Sequence, residues 1–204
     1  LSAVGSDVFG SIIQSDLVKN KINRVIVKNA PTGVGLNILS GGEKSILVFR
    51  GANSRLGPSD ISKIAARRVF ITSLTSSENF LLFEKLLKLA KKQHLPVVFA
   101  PSITMLHSWA FRLRKLHPRF DIMIVNYEEG CYFAGKKDVK AILSALPARV
   151  AVVTKDVDGA YAKAGSDFLH VSAVPVKVKD TTGAGDAFSG AFAHAYCSSG
   201  SVAK

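Results

Sequence analysis

From Arg68 onward the chain repeats one pattern, a short run of branched apolar residues followed by an amphipathic stretch long enough for a helix. RVFITSL leads into a helical periodicity over residues 77–92 and PVVFA into one over about 103–116. DIMIVN leads into shorter helical patterns near 127–146, and RVAVVT into a small hairpin across GSD. Strands that alternate with helices need right-handed crossovers, so they must run mainly parallel and be covered on both faces. The expected fold is α/β, with three α/β/α layers on a mainly parallel central sheet. The 204 residues are 48% apolar, enough for the core of one such domain, so a single domain over 1–204 is the expectation. The chain begins without methionine and stops at SSGSVAK inside what reads as a helix terminus, which points to a fragment.

The first third has a different rhythm. Val8, Ile12, Ile13 and Leu17 recur at helical spacing behind Ser6 or Asp7, either of which can cap a first helix over Asp7–Leu17. RVIV at 24–27, GLNIL at 35–39 and SILVF at 45–49 then read as short strands, with LSGGEKS as a hairpin turn. Together they predict an antiparallel patch over about 24–49, set beside an α/β core of 1–20 and 58–204. Pro58 stands near a helix start.

A formal net charge of +12 raises the question of a polyanionic partner. The basic residues are scattered (KKQH, FRLRKLHPR, GKKD) and are not set among aromatics on one face, so nucleic-acid binding is disfavoured and a small phosphorylated ligand is preferred. Cys131 and Cys197 have neither metal spacing nor a framework of partners, which suits a reducing compartment and a cytoplasmic protein. No stretch is long and apolar enough to span a bilayer, and these residues show no signal peptide, which a missing N-terminus could have carried.

In a mainly parallel sheet, ligands lie beyond the carboxyl ends of the strands, so the residues that follow each strand are the candidates for chemistry. Here they are TSLTSS, APS, NYEE, TKDVDG and, after VPVKV, DTTGAGD. NYEE sets Asn126 and Glu129 three apart, hard oxygen donors suited to Mg²⁺ or its waters; the same pair also reads as a helix cap and a first-turn acid. TKDVDG offers the Thr154 hydroxyl and a Gly159 turn where backbone can approach a ligand, or an ordinary β-turn. DTTGAGD is more specific. Small residues at Gly183, Ala184 and Gly185 leave amides uncovered at a helix start, where the dipole favours an anion, while Asp186 in the first turn can reach a hydroxyl brought to the same point. Donors for a moving phosphoryl group beside a carboxylate that takes the proton of an attacking alcohol are the parts phosphoryl transfer requires.

The run DTTGAGDAFSGAFAHAY resembles the C-terminal signature of the ribokinase-like carbohydrate kinases, the PfkB family. VGSDVFG, PTGVGLNIL, GGEKSILVFRGAN, NYEE and TKDVDG follow in the family's order across nearly the whole chain, and the TGV and GAN elements resemble ribokinases and related nucleoside kinases. The resemblance implies a ribokinase-like fold in which the 24–49 strands form a small lid sheet, often a dimer contact. It also implies ATP-dependent phosphorylation of a primary hydroxyl on a ribose-like sugar or nucleoside. By the same resemblance Asp186 is the base, and the amides of Gly183, Ala184 and Gly185 form the anion hole. Asn126 and Glu129 organise Mg²⁺ and the ATP phosphates, and Thr154, Lys155, Asp156, Val157, Asp158 and Gly159 lie along the nucleotide. Asp180 and the backbone at Thr182 match a monovalent-cation site, usually for K⁺.

The chain departs from the family pattern in three places. Asp156 stands where TxGxxG has glycine, adding a negative charge beside the expected polyphosphate. The acidic residue common after the strand VFITSL is replaced by Thr75, Ser76 and Ser77. The N-terminal glycine-rich sugar signature and the C-terminal helix pair are absent from the sequence. An alternative reading is therefore a truncated, non-catalytic kinase-like chain that binds a nucleotide or a partner.

Overall fold

The computed structural model describes residues 1–22, 25–40, 43–116 and 120–199. The chain divides into two compact units, Leu1–Ile64 with Leu74–Leu89, and Ala65–Ser73 with Ala90–Lys204.

The first unit opens with β1 (Ser2–Gly5), α1 (Val8–Lys19) and β2 (Val25–Lys28), and β2 returns parallel to β1 with Ala3 opposite Ile26. This corrects the reading of RVIV as part of an antiparallel patch. A helix between two strands brings the second back in the direction of the first, and the strand potential of SAVG is masked by its small residues. Asp7 caps α1, its Oδ1 accepting the Gly10 N–H at 2.8 Å. The same carboxylate accepts the Thr32 amide at 2.7 Å and the Thr32 hydroxyl at 2.5 Å, while the buried Thr32 Oγ1 accepts the Gly5 amide at 2.9 Å. Ala3, Ala52, Leu56, Ile61 and Leu82 form the core of this unit. By contrast Val8, Ile12 and Ile13, whose spacing announced α1, are exposed.

β3 (Val34–Ser40) and β4 (Glu43–Phe49) form the expected antiparallel hairpin, with Leu36 opposite Leu47. Its turn, expected across LSGGEKS, falls on Gly41 and Gly42, outside the described residues. Pro58 begins a single 3₁₀ turn, Pro58–Asp60, which Asp60 closes by accepting the Gly57 amide at 2.8 Å. Most of α2 (Ser77–Lys92) belongs to this unit. The hydroxyls at its start are occupied by the helix entry: Asn79 Oδ1 accepts the amides of Thr75 and Ser76, and Ser76 Oγ donates to the Ser54 carbonyl at 2.6 Å.

In the second unit six strands hydrogen-bond in the order β10-β9-β8-β7-β6-β5. β5 (Val69–Ile71), β6 (Val97–Phe99), β7 (Phe120–Asn126) and β8 (Ala148–Thr154) are parallel neighbours; β9 (Ala160–Ala164) and β10 (Asp167–Val171) extend the sheet antiparallel. The GSD hairpin is as expected, with Gly165 at φ +62° in its turn. Alternation along β7 and β8 explains their continuous apolar runs. Ile122, Ile124, Val150 and Val152 pack with Ala193, Phe188 and Phe192 of α6 (Ala184–Ser199). Val125, on the other face, packs where Gly130 of α4 (Tyr127–Ala134) meets Ile142 of α5 (Val139–Ala145). With α3 (Ile103–Leu116) beside α4, these helices give the three layers and the mainly parallel sheet that the sequence predicted. Each large aliphatic side chain so buried contributes about 1.5–3 kcal/mol.

VPVKV forms no strand; Val174, Val176 and Val178 lie exposed after β10, Val176 at 73%. Proline at position 175 removes a ladder donor, and alternating valines alone do not supply a pairing edge. Among the described residues no helix is long and apolar enough to cross a membrane.

Candidate active site

The carboxyl ends of β5 to β8 and the first turn of α6 enclose a cavity of about 330 Å³ in the second unit. Each strand delivers its last residues to this edge, as a mainly parallel sheet must. Asn126 ends β7, Thr154 ends β8, and Gly183, Gly185 and Asp186 approach from α6; all five line the cavity together with Glu129.

The α6 corner is built by its own loop. Asp180 Oδ1 accepts the Thr182 amide at 2.8 Å, and the Thr181 carbonyl accepts the Ala184 amide at 3.2 Å. Gly183 turns at φ +81°, a left-handed conformation that favours glycine, and its carbonyl accepts the Ala187 amide at 2.9 Å. Among the described residues no backbone acceptor serves the amides of Gly183 and Gly185, whereas the Ala184 N–H is engaged by the turn. A Cβ at Gly185 would meet nothing within 4 Å, so that side of the helix start is open to a ligand. Asp186 is exposed on the first turn and lines the same cavity.

Asn126 and Glu129 form a reciprocal cap on α4. Asn126 Oδ1 accepts the Glu129 amide at 2.8 Å, and Glu129 Oε2 accepts the Asn126 amide at 2.9 Å. The capping reading of NYEE is thus what the geometry displays, and it fixes both side chains at the cavity rim. Burial pushes the Glu129 carboxyl above its ordinary value, against the amides of Asn126 and Ile103, which favour the charged form. Among the described residues no cluster of three or more His, Cys, Asp or Glu could by itself hold a metal ion.

Of the TKDVDG stretch only Thr154 lines the cavity. Lys155, Asp156, Val157 and Asp158 form a tight 3₁₀ turn in which the Lys155 amide donates to the Gly159 carbonyl at 2.8 Å. Lys155 Nζ pairs with Asp158 at 2.7 Å and lies 5.1 Å from the Tyr127 ring centre, and Val157 is 87% exposed. Asp156 stands at φ +41°, so the backbone here takes the left-handed shape that a glycine would adopt freely. Gly159, at φ +94°, makes room for other protein backbone: a Cβ there would overlap the Val171 carbonyl oxygen and crowd the Ala173 amide. The space left by the missing side chain is taken by the exit of β10.

Some cavity residues had no role assigned from the sequence. Thr72 and Ser73 follow β5, Ser102 follows β6, and the buried Ser189 lies one turn beyond Asp186. The available signal was the strand-end rule, which singled out TSLTSS and APS but did not separate the cavity serine Ser73 from the helix-entry hydroxyls Thr75 and Ser76.

The chain belongs to the pfkB family of carbohydrate kinases, whose family model matches residues 1–204. The ribokinase of Schizosaccharomyces pombe is 31% identical over 208 residues, covering 95% of this chain and 65% of its own length. The adenosine kinase of Sinorhizobium meliloti superposes with a TM-score of 0.85 at 21% identity, over 97% of this chain and 65% of that one. An E. coli Ribokinase II candidate in complex with ATP and Mg²⁺ gives 0.78 at 20% identity, over 98% and 70%. These two likenesses are of fold. The chain spans just under two thirds of the length of the ribokinase it matches.

Proposed function

We propose that this chain carries the phosphoryl-transfer site of an ATP-dependent kinase acting on a primary hydroxyl of a ribose-like sugar or a nucleoside. The observation that carries the reading is the convergence of Asp186, Gly183, Gly185, Asn126 and Glu129, distant in sequence, on one cavity. Asp186 takes the proton of the attacking hydroxyl as its oxygen bonds to the γ-phosphorus, the bond to the ADP oxygen breaks, and the proton rests on the carboxylate. Amides of Gly183 and Gly185 stabilise charge on the transferring group; the Ala184 amide joins them when its turn to Thr181 relaxes.

Asn126 and Glu129 present oxygen donors that fit Mg²⁺, an ion that keeps several waters and takes few protein ligands. Because each is already held in the α4 cap, they act through water. When bound, the ion neutralises charge on the β- and γ-phosphates. Thr154, Lys155, Asp156, Val157, Asp158 and Gly159 would run beside the nucleotide, and Asp180 with the Thr182 backbone would hold a monovalent cation, K⁺. ATP and Mg²⁺ enter this reading from the E. coli complex and the family match.

We also read the chain as one functional domain whose β3–β4 hairpin is the lid and a homodimer contact. We place it in the cytoplasm, where ATP is supplied and where Cys131 and Cys197 stay free thiols.

In the full chain, Asp186→Asn lowers sugar-dependent ADP production at least about a hundredfold while ATP still binds; near-normal turnover rejects the assignment. A panel of ribose, 2-deoxyribose and adenosine with ATP and Mg²⁺, run in K⁺ and then Na⁺, finds the acceptor class and tests the cation. A second reading, nucleotide binding without turnover, draws on the Asp156 carboxylate in the nucleotide loop. It predicts thermal stabilisation by ATP with no product from any acceptor.

A further inference from the structure

The net charge of +12 has no part in the reaction proposed above, and it is unevenly placed. Residues 65–126 hold ten of the 27 Lys and Arg but three of the 15 Asp and Glu. Scattered along the sequence, many of these cations are gathered by the sheet at one edge. β5 to β8 run parallel, with Val69 opposite Val97 and Phe120 opposite Ala148, so the residues just before the strands share the amino edge, at the other end from the cavity. Arg67 and Arg68 precede β5, Lys91 and Lys92 close α2 before β6, Arg114 and Lys115 stand in the last turn of α3 before β7, and Arg149 lies at the start of β8. All are exposed, and all belong to the second unit. With neighbouring strands about 4.8 Å apart, the row spans roughly 14 Å.

Helix dipoles explain part of the row, since the last turn of a helix favours cations, and Arg114 donates to the Phe133 carbonyl at 2.6 Å. Arg67, Arg68 and Arg149 end no helix. Among the described residues Arg67, Arg68, Lys91 and Lys92 form no ion pair. The facing acids are fewer: Asp121, whose carboxylate accepts the Val97 amide at 2.8 Å, and Asp167 in the β9–β10 hairpin. His94, between α2 and β6, holds φ +53°, where glycine is the usual choice, so an imidazole is kept at this edge. Such a row attracts a partner charged along its length.

The aromatic that the scattered sequence lacked is Phe111 of α3, 68% exposed with Lys115 Nζ 4.5 Å from its ring centre. An exposed ring beside an ammonium suits a stacked base and its adjoining phosphate. A single ring buries too little apolar surface to anchor a bilayer, and an acidic peptide has no base to stack on it. We infer that the amino edge of the six-stranded sheet is a docking surface for single-stranded nucleic acid, with Arg67, Arg68, Lys91 and Lys92 on phosphates and Phe111 as the stacking platform. The inference is independent of the kinase reading, because the cavity lies at the other end of β7, roughly 20 Å away.

The full chain is titrated into a fluorescein-labelled uridylate of about 20 nucleotides and followed by anisotropy. Micromolar binding at about 50 mM NaCl should weaken about fiftyfold by about 200 mM, as four phosphate contacts on a single strand require. Arg67→Glu with Arg68→Glu, and separately Lys91→Glu with Lys92→Glu, should each weaken it at least about tenfold, and Phe111→Ala about tenfold. Lys136→Glu with Lys137→Glu makes the same charge change between α4 and α5 and should weaken it no more than about twofold, which separates the edge from net charge. No binding at the lower salt, an unchanged affinity in Phe111→Ala or in either edge pair that stays folded, or an equal loss in the control pair overturns the inference. So does tighter binding to polyglutamate or to phosphatidylglycerol vesicles, which would give the edge to an acidic protein or to a membrane.

Discussion

At Gly159 one hydrogen in place of a side chain decides whether two stretches of backbone can pass. Gly159→Ala adds a left-handed φ penalty to an overlap with the Val171 carbonyl, so it is expected to lower unfolding free energy by about 2–3 kcal/mol in urea titration. Asp156 presents the opposite case, a non-glycine residue held at φ +41°. Aspartate tolerates that region better than most residues, and glycine adds freedom to the unfolded chain, so the two effects of Asp156→Gly on stability largely cancel, to within about 1 kcal/mol. Removing the charge beside a polyphosphate does not cancel. The variant should bind ATP about threefold tighter at low salt and less so at high salt, by calorimetry; an unchanged affinity discards the repulsion argued from the sequence. Both residues were visible as positions in TKDVDG, but the partner of Gly159 was not, because β10 reaches it only through the hairpin.

Elements were legible where the apolar pattern was long and regular. The spans of α2 and α3, written as 77–92 and about 103–116, coincide with Ser77–Lys92 and Ile103–Leu116 because lysine and arginine interrupt the apolar stripe at regular spacing. β1 and the parallel pairing of β2 were missed, since four small or branched residues carry no record of their partner. The first turn of α1 was legible through Asp7, and the structure adds that Thr32 from beyond β2 shares the same carboxylate. The Thr32 hydroxyl, then its amide, then the Gly10 amide hold the Asp7 carboxyl below its ordinary value of 3.8. A depressed carboxylate stabilises the fold at every pH above that ordinary value and loses the contribution as pH falls through the lower folded value. In wild-type protein, hydrogen exchange at the Gly10 and Thr32 amides should therefore stay protected at pH 5 and weaken only below 3.8. Asp7→Ala should lose that protection already at pH 5.

For the whole molecule, the open question in physical terms is what covers the apolar surface. One face of the β3–β4 hairpin carries Val34, Leu36, Ile38, Leu47 and Phe49, with Leu36 57% and Phe49 56% exposed. A two-stranded hairpin is marginal in water by itself, and a flat apolar face on it is a surface for pairing. If it is the homodimer contact proposed above, Leu36→Lys weakens self-association about a hundredfold in sedimentation equilibrium, and a wild-type chain that stays monomeric at every concentration rejects the dimer. What the sequence determined by itself was local and periodic: the α/β alternation, the caps of α1 and α4, the glycine-rich turn before α6 and the acid in its first turn. Hydrogen-bonding patterns and side-chain faces repeat within a few residues, so a single strand of text suffices to read them. Only the tertiary structure decided which strand ends share an edge, and so which hydroxyls line one cavity with Asp186 and which close a helix start. That is a matter of strand order and register, which bring together residues far apart in the chain through crossovers whose packing no local pattern encodes.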